Sequence, residues 1–301
     1  MKCDLLFQPL DALRPIRRVV FAACFVLLFI VSASADWWSA RSVEEERRPA
    51  PGLAYQRVLY KTINEQPVRA HILSVTGIGR EYIFGVLGSY GALVQPSIFS
   101  RNSQAVAVVN GGFFSVNPTR AAGLIVAHGK VLYPPPASGK YQGSVGFTPD
   151  QVLIGMISPA DFSNNQINST KPGWNDCHAV IGAGPVLVLD GELQTDIFEV
   201  DFNTEQRAPR TAMGLMDRGD VLIVVIDGRQ PEWSAGVTLP ELAQLFAAQG
   251  VESALNLDGG GSSTMIIQNE IVNRPSDYAI PGQPGRERAV ANVVALLKKT
   301  P

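Results

Sequence analysis

Residues 210–229 read "RTAMGLMDRGDVLIVVIDGR". Two apolar runs of strand length flank the polar turn Asp217-Arg218-Gly219-Asp220, the pattern of a β-hairpin whose turn is supplied by Gly with Asp and Arg. Pairing across that turn brings Arg210 and Asp227 to the same end of a sheet. The same signature recurs in "LIVAHGKVL" (124–132) and "LVLDGEL" (187–193), where Gly follows His or Asp between two apolar runs. Further strand-like runs are "AYQRVLY" (54–60), "VRAHILSV" (68–75), "AVAVVNGGFF" (105–114), "SVGFTPDQVLIG" (144–155), "ALNLDGG" (254–260), "STMIIQNEIV" (263–272) and "RAVANVVALL" (288–297).

The clearest helix is "TLPELAQLFAAQG" (238–250). Thr238 can cap it, Pro240 suits its first turn, Leu242, Leu245, Phe246 and Ala247 share a face, and Gly250 ends it. Many strands, few helices and hairpin connections predict an α+β fold: a single domain over residues 54–301 around a mixed, largely antiparallel sheet, not a doubly wound parallel one. Residues 36–53 contain the charged, proline-bearing "VEEERRPAPG" and read as a linker.

Residues 14–35, "RPIRRVVFAACFVLLFIVSASA", place three arginines before an apolar run and a small-residue ending, the order of a secretory signal peptide. Residues 1–35 are therefore expected to direct export to a periplasmic or extracellular location, with an uncleaved anchor over 19–35 as the alternative and membrane contact only if that segment is retained. The formal charge of the whole chain is −2. Without residues 1–35, which carry four basic and two acidic side chains, it becomes −4, a poor footing for nucleic-acid binding. Cys177 is then the one cysteine left, which excludes an intramolecular disulfide and reads as a buried, inert thiol.

Four stretches end an apolar strand in glycine or polar residues, where a scaffold presents functional groups. "VAVVNGGFF" (106–114) offers Asn110, Gly111 and Gly112 with Phe113 and Phe114 as a pocket wall, or simply an Asn-Gly turn with two core phenylalanines. "IGAGPVLVLDG" (181–191) offers Gly184, or only a bend; it lacks the G-x-G-x-x-G spacing of a dinucleotide site. Arg210 and Asp227 supply a planar cationic fork and a carboxylate, or a plain structural pair. "LNLDGGGSSTM" (255–265) is the densest: Asn256 and Asp258 share a strand face, Gly259, Gly260 and Gly261 let the main chain approach a ligand, and Ser262, Ser263 and Thr264 offer hydroxyls for sugar or phosphate oxygens. It has neither the Gly-Lys-Ser/Thr ending of a P-loop nor the alternating acids of an EF-hand. His71, His128 and His178 lack zinc-ligand spacing, and no G-x-S-x-G elbow is present. Carboxylate chemistry assisted by arginine and main-chain amides remains.

Together "VNGGFF", "GAGPVLV", "RTAMGL", "VIDGR", "TLPELAQLFAAQG" and "LNLDGGGSSTM" resemble the phosphodiester glycosidase domain family, in order, over about residues 90–297. The resemblance implies an α+β domain that cleaves a sugar-1-phosphate diester at the anomeric carbon. The cysteine-rich accessory region of animal members has no counterpart among these residues, so their particular glycan is not carried over. On this reading Asp258 and Asp227 act as carboxylates at the anomeric centre, Arg210 holds phosphate and Asn110 positions. Gly111, Gly112, Phe113, Gly184, Asn256, Gly259 to Gly261, Ser262, Ser263 and Thr264 line the substrate. Glu232 is a reserve acid. No cofactor is implied; a divalent cation on Asp227, Asp258 and Asn110 is the less favoured alternative. A noncatalytic glycan-binding or polysaccharide-assembly protein is the competing function.

Overall fold

The computed structural model describes residues 37–88, 91–137, 143–194, 204–278 and 285–299. The expected signal segment lies outside the described residues. Within the unit Asp36–Pro301 the fold is mostly β, with three main antiparallel sheets and, among the described residues, two α-helices, α1 (Pro96–Ser103) and α2 (Leu239–Ala248). The antiparallel expectation holds; the helical share is smaller than the α+β expectation.

The largest sheet runs in the order Trp38–Arg47, Leu53–Thr62, Pro67–Val75, Val221–Ile226, Arg210–Met216, Val251–Asn256, Val186–Leu189, Glu192–Leu193. The 210–229 hairpin is at its centre, with Arg210 opposite Ile226 and Leu215 opposite Val221. A second sheet contains Tyr82–Gly88, Ala107–Asn110, Met265–Ile267, Glu270–Ile271 and Asn292–Lys298; a third contains Ile125–Ala127, Lys130–Tyr133, Gly143–Phe147, Val152–Met156 and Ala179–Ala183.

Inner faces of all three sheets meet in one core, where Met213 and Val225 of the first pack with Phe84 and Val294 of the second and Phe147 and Ile181 of the third. The neighbouring residues Ala212 and Val224 point the other way, against Leu242 and Phe246 of α2. Burial on both faces explains why the central strands read as continuous apolar runs instead of alternating ones. Helix α2 begins as expected: Thr238 Oγ1 accepts from Glu241 N–H at 3.2 Å and Glu241 Oε2 accepts from Thr238 N–H at 2.8 Å, a capping box worth about 1 kcal/mol.

Residues 36–53 are not a linker throughout. Trp38–Arg47 is an edge strand paired with Leu53–Thr62. Its charges are the reason it reads as unstructured and also the reason it tolerates the edge: Glu44 reaches Arg69 at 2.7 Å and Arg57 at 3.1 Å, and Glu45 reaches Arg57 at 2.8 Å. Charged side chains on an edge strand discourage pairing with a second molecule. Among the described residues no helix is long and apolar enough to cross a membrane.

Candidate active site

The candidate site is the turn after Val251–Asn256, which carries Asp258. Asp258 N–H donates to Gly111 O at 3.0 Å and Gly260 N–H to Pro209 O at 2.8 Å, so the triple glycine is bound between the ends of the first two sheets. A Cβ at Gly259 would lie 2.8 Å from Pro209 O; Gly260 has φ of +61° and faces Arg229, where a Cβ would be 2.9 Å from Nη2. A Cβ at Gly261 would collide with Asp277 Oδ1 and Arg288 Nη2. The glycines thus admit three side chains from distant segments to the edge of one turn. Gly261→Ala is expected to part the Asp277–Arg288 pair and reduce activity more than tenfold with a small change in melting temperature, read by kinetics and thermal melts of the same preparation.

Asp258 is half-buried and its Oδ1 accepts from Gly259 N–H at 2.9 Å. Burial pushes its carboxyl up to about 6, against the opposing pull of the Ser262 hydroxyl, the Gly259 N–H and the guanidinium groups of Arg288 and Arg229. Arg288 is fixed by Asp277, at 2.6 Å from Nη2 and 2.8 Å from Nε, and its Nη1 is 3.5 Å from Ser262 Oγ. Arg229 is exposed, on a backbone with φ of +59°, a conformation that costs a non-glycine residue energy and recurs at functional sites.

The other expected residues occupy different places. Asn110 is fully buried: its Nδ2 donates to Asp258 O at 2.6 Å, while Oδ1 accepts from Thr211 Oγ1 at 2.7 Å and Thr264 N–H at 3.1 Å. It ties three strand ends together beneath the turn. Arg210, 7 % exposed, donates to Val237 O at 3.2 Å and Gln206 O at 2.9 Å; burial, then Arg229, lowers it to about 10. Its guanidinium supports the 206–237 segment.

Asp227 is 1 % exposed, and four donors saturate its carboxylate: His71 Nε2 at 2.9 Å and Trp233 Nε1 at 2.8 Å on Oδ2, Asn273 Nδ2 at 3.1 Å and Arg274 N–H at 2.9 Å on Oδ1. Behind it, Tyr55 Oη lies 2.9 Å from His71 Nδ1. Tyr55 and Asp227 thus hold the two nitrogens of the His71 ring from opposite sides. Desolvation raises the Asp227 pKa, but His71, Trp233 and the Arg274 N–H outweigh it and hold the carboxyl below its ordinary value.

Gly111 and Gly112 N–H donate to Asn292 O at 3.0 Å and Asn292 Oδ1 at 2.8 Å, so their amides face the neighbouring strand and not a ligand. Phe113 packs against the main core. Gly184 N–H donates to Asn256 O at 3.0 Å and Asn256 Nδ2 returns to Gly184 O at 2.8 Å. Ser262, Ser263 and Thr264 are buried, and the Ser263 and Thr264 hydroxyls lack hydrogen-bond partners among the described residues. Glu232 is exposed. Cys177 is buried, its thiol raised to about 12 by desolvation, consistent with an inert side chain. Arg288, Asp277 and His71 were not legible as site or supporting residues, because no local pattern links residues 71, 277 and 288 to residue 258.

On this mostly β scaffold the half-buried Asp258 shares its glycine turn with the guanidinium groups of Arg229 and Arg288, an arrangement with the chemistry for anionic, oxygen-rich ligands. The NAGPA phosphodiester glycosidase family model matches residues 103–297, and the chain belongs to that family. It is 25% identical over 205 residues to bovine N-acetylglucosamine-1-phosphodiester alpha-N-acetylglucosaminidase, covering 65% of this chain and 38% of that protein. It is 32% identical over 110 residues to the prophage-derived YomE of Bacillus subtilis, covering 36% of this chain and 16% of that one. The chain thus spans well under half the length of these relatives. The catalytic domain of the zebrafish glucosaminidase, solved in a form auto-inhibited by its pro-peptide, superposes with a TM-score of 0.67 at 21% identity over 86% of this chain and 88% of its own. A Synechocystis protein gives 0.68 at 16% identity over 87% and 64%. These two likenesses show the fold.

Proposed function

We propose that the chain is an exported hydrolase that cleaves the glycosidic bond of a sugar-1-phosphate diester, releasing free sugar and a phosphomonoester. Residues 54–301 with the edge strand before them form the catalytic unit, and residues 1–35 direct it to the periplasm or cell exterior. The observation that carries the reading is the Asp258 carboxylate on a glycine turn whose edge the guanidinium groups of Arg229 and Arg288 approach.

The phosphate leaves as a stable anion, so the reaction needs little help from a general acid and much from positive charge held at the departing oxygens. Arg229 and Arg288 supply that charge. Asp227 is saturated and Asp277 is committed to Arg288, which leaves Asp258 as the carboxylate for the anomeric carbon. A covalent glycosyl-enzyme would need a second carboxylate to activate water for its hydrolysis. Asp258 is therefore assigned as general base: it takes a proton from water, the water oxygen bonds to C1, the C1–O bond breaks, and its electron pair departs with the phosphate. The cation alternative loses support, because the oxygens of Asp227 and Asn110 already accept protein hydrogen bonds.

Incubation of the purified protein with sugar-1-phosphodiesters of both anomers tests the reading, with released sugar followed by NMR before it mutarotates. Release with inverted configuration supports it. Binding without release would favour the noncatalytic glycan-binding function, and retention would reassign Asp258 as nucleophile. Arg229→Ala and Arg288→Ala are each expected to lower kcat/KM by about 100- to 1,000-fold, the range for a lost charge-stabilising donor, with stability nearly unchanged for the exposed Arg229.

A further inference from the structure

Helix α1 leaves the outer face of the second sheet unevenly covered. It packs against Ala107–Asn110, Met265–Ile267 and Asn292–Lys298, but a helix of eight residues is a rod only about 12 Å long, whereas five strands span about 19 Å. Leu87 on the edge strand Tyr82–Gly88 and Phe99 on α1 pack against the apolar cluster beneath and stay half-buried. Between α1, the end of that edge strand and the hairpin 125–133 lies a cleft of about 580 Å³, the size of a small-molecule site.

Val86, Leu87, Phe99 and Leu132 give the cleft an apolar wall, and the exposed His128 and Lys130 line it as well. Gly88 and Leu132 also border a second cavity of about 20 Å³, whose lining includes Arg120 and Asn292; it has room for one water-sized group. Asn292 is 3 % exposed, and its Oδ1 accepts from Gly112 N–H at 2.8 Å. Its Nδ2 is buried without a hydrogen-bond partner among the described residues. A buried donor left unpaired is costly, and an acceptor oxygen from a ligand removes the cost. Arginine, histidine and lysine line the two spaces and no acidic residue does, in a chain whose formal charge is −2. Apolar wall, unpaired donor and basic lining together select an anion with a hydrocarbon body.

We propose that this cleft binds an amphipathic carboxylate, its hydrocarbon chain against Leu87, Phe99 and Leu132 and its carboxylate at the Arg120–Asn292 end. No residue of the Asp258 turn lines either space, so the site is independent of the proposed reaction and stands or falls without it.

Calorimetry of the purified protein with decanoate, hexanoate and decyltrimethylammonium, each below its micelle-forming concentration, tests the site. Decanoate is expected to bind one to one and about tenfold or more tightly than hexanoate, because each buried methylene adds to affinity. The cation is expected to bind about tenfold or more weakly than decanoate, as a basic lining requires. Leu132→Trp, which fills the cleft, should abolish decanoate binding with the melting temperature held. Arg120→Glu, at an exposed position, should weaken decanoate about tenfold, and Asp258→Asn should leave it unchanged. No saturable binding, equal binding of the cation, or loss in Asp258→Asn overturns the proposal, the last by placing the carboxylate at the Asp258 turn. If Leu132→Trp fails to fold, Arg120→Glu decides: undiminished decanoate binding in that variant overturns the proposal.

Discussion

Asp258→Asn is expected to reduce kcat/KM by about 10²- to 10⁴-fold, the range for a lost general base, and to make the protein more stable at neutral pH. The two effects have one cause. Asp258 has a folded pKa of about 6 against 3.8 for an unperturbed aspartate, so the native state binds more protons than the unfolded chain between those values. A raised pKa contributes stability that is fully present below the unfolded value and is lost as pH rises through about 6. At pH 7.5 the ionised carboxylate is thus a liability to the fold, held for its chemistry. Allowing for solvent screening of a half-buried group, its removal should return about 1–2 kcal/mol, or a rise in Tm of roughly 2–6 °C for a domain of this size. The wild-type and variant melting curves should converge at pH 4. Wild-type kcat/KM should climb with pH and level off above about 6, as the base loses its proton. Full activity in Asp258→Asn, or a Tm difference independent of pH, would overturn the assignment.

The hairpin at 210–229, the Thr238 cap of α2 and the glycine turn after Asp258 were legible because each is written in residues close together in the chain. The edge strand at 38–47 was not. Its stabilising partners, Arg57 and Arg69, lie on two other strands, and a run of glutamates and arginines without them has no reason to be extended. The glycines show the same limit. Those at 259–261 leave room for Arg229, Asp277 and Arg288 beside the Asp258 turn, whereas Gly111 and Gly112 are small because sheets meet there: a Cβ at either would strike Asn292 or Gly182. Sequence reveals that backbone must pass closely at both places but not what passes. Arg288 and Asp277 both reach Gly261 from the connection between strands Glu270–Ile271 and Asn292–Lys298, a juxtaposition that only the packed sheets create. Conversely Asp227 ends its strand where a catalytic acid would stand, and the reason it is not available is a histidine 156 residues away.

Asp227→Ala is expected to cost about 3–5 kcal/mol, the usual penalty for removing one partner of a buried ionic network, and so to lower Tm by about 10 °C or more. The carboxylate joins three segments: His71 on a central strand, Trp233 on the following loop, and Asn273 with Arg274 near the site. Its removal leaves those donors buried and unpaired. Arg69 adds to the same structure, its guanidinium carbon lying 3.8 Å from the Trp233 ring centroid. The sign of the pH dependence is opposite to that of Asp258. Asp227 has a lowered folded pKa, so its stabilisation is present above the unfolded carboxylate pKa and disappears as pH falls through the lower, folded value. The wild-type advantage over Asp227→Ala should therefore shrink under acid, where the Asp258 effect has already vanished. Combining Asp227→Ala with His71→Ala in a double-mutant cycle should give a coupling within about 0.5–3 kcal/mol, since the two side chains touch. The decisive comparison is catalytic: Asp227→Asn, assayed at low temperature where it remains folded, should keep kcat/KM within about tenfold of wild type because the carboxylate never meets the sugar. A loss as deep as that of Asp258→Asn with the fold intact would instead place Asp227 at the anomeric carbon and restore a two-carboxylate mechanism.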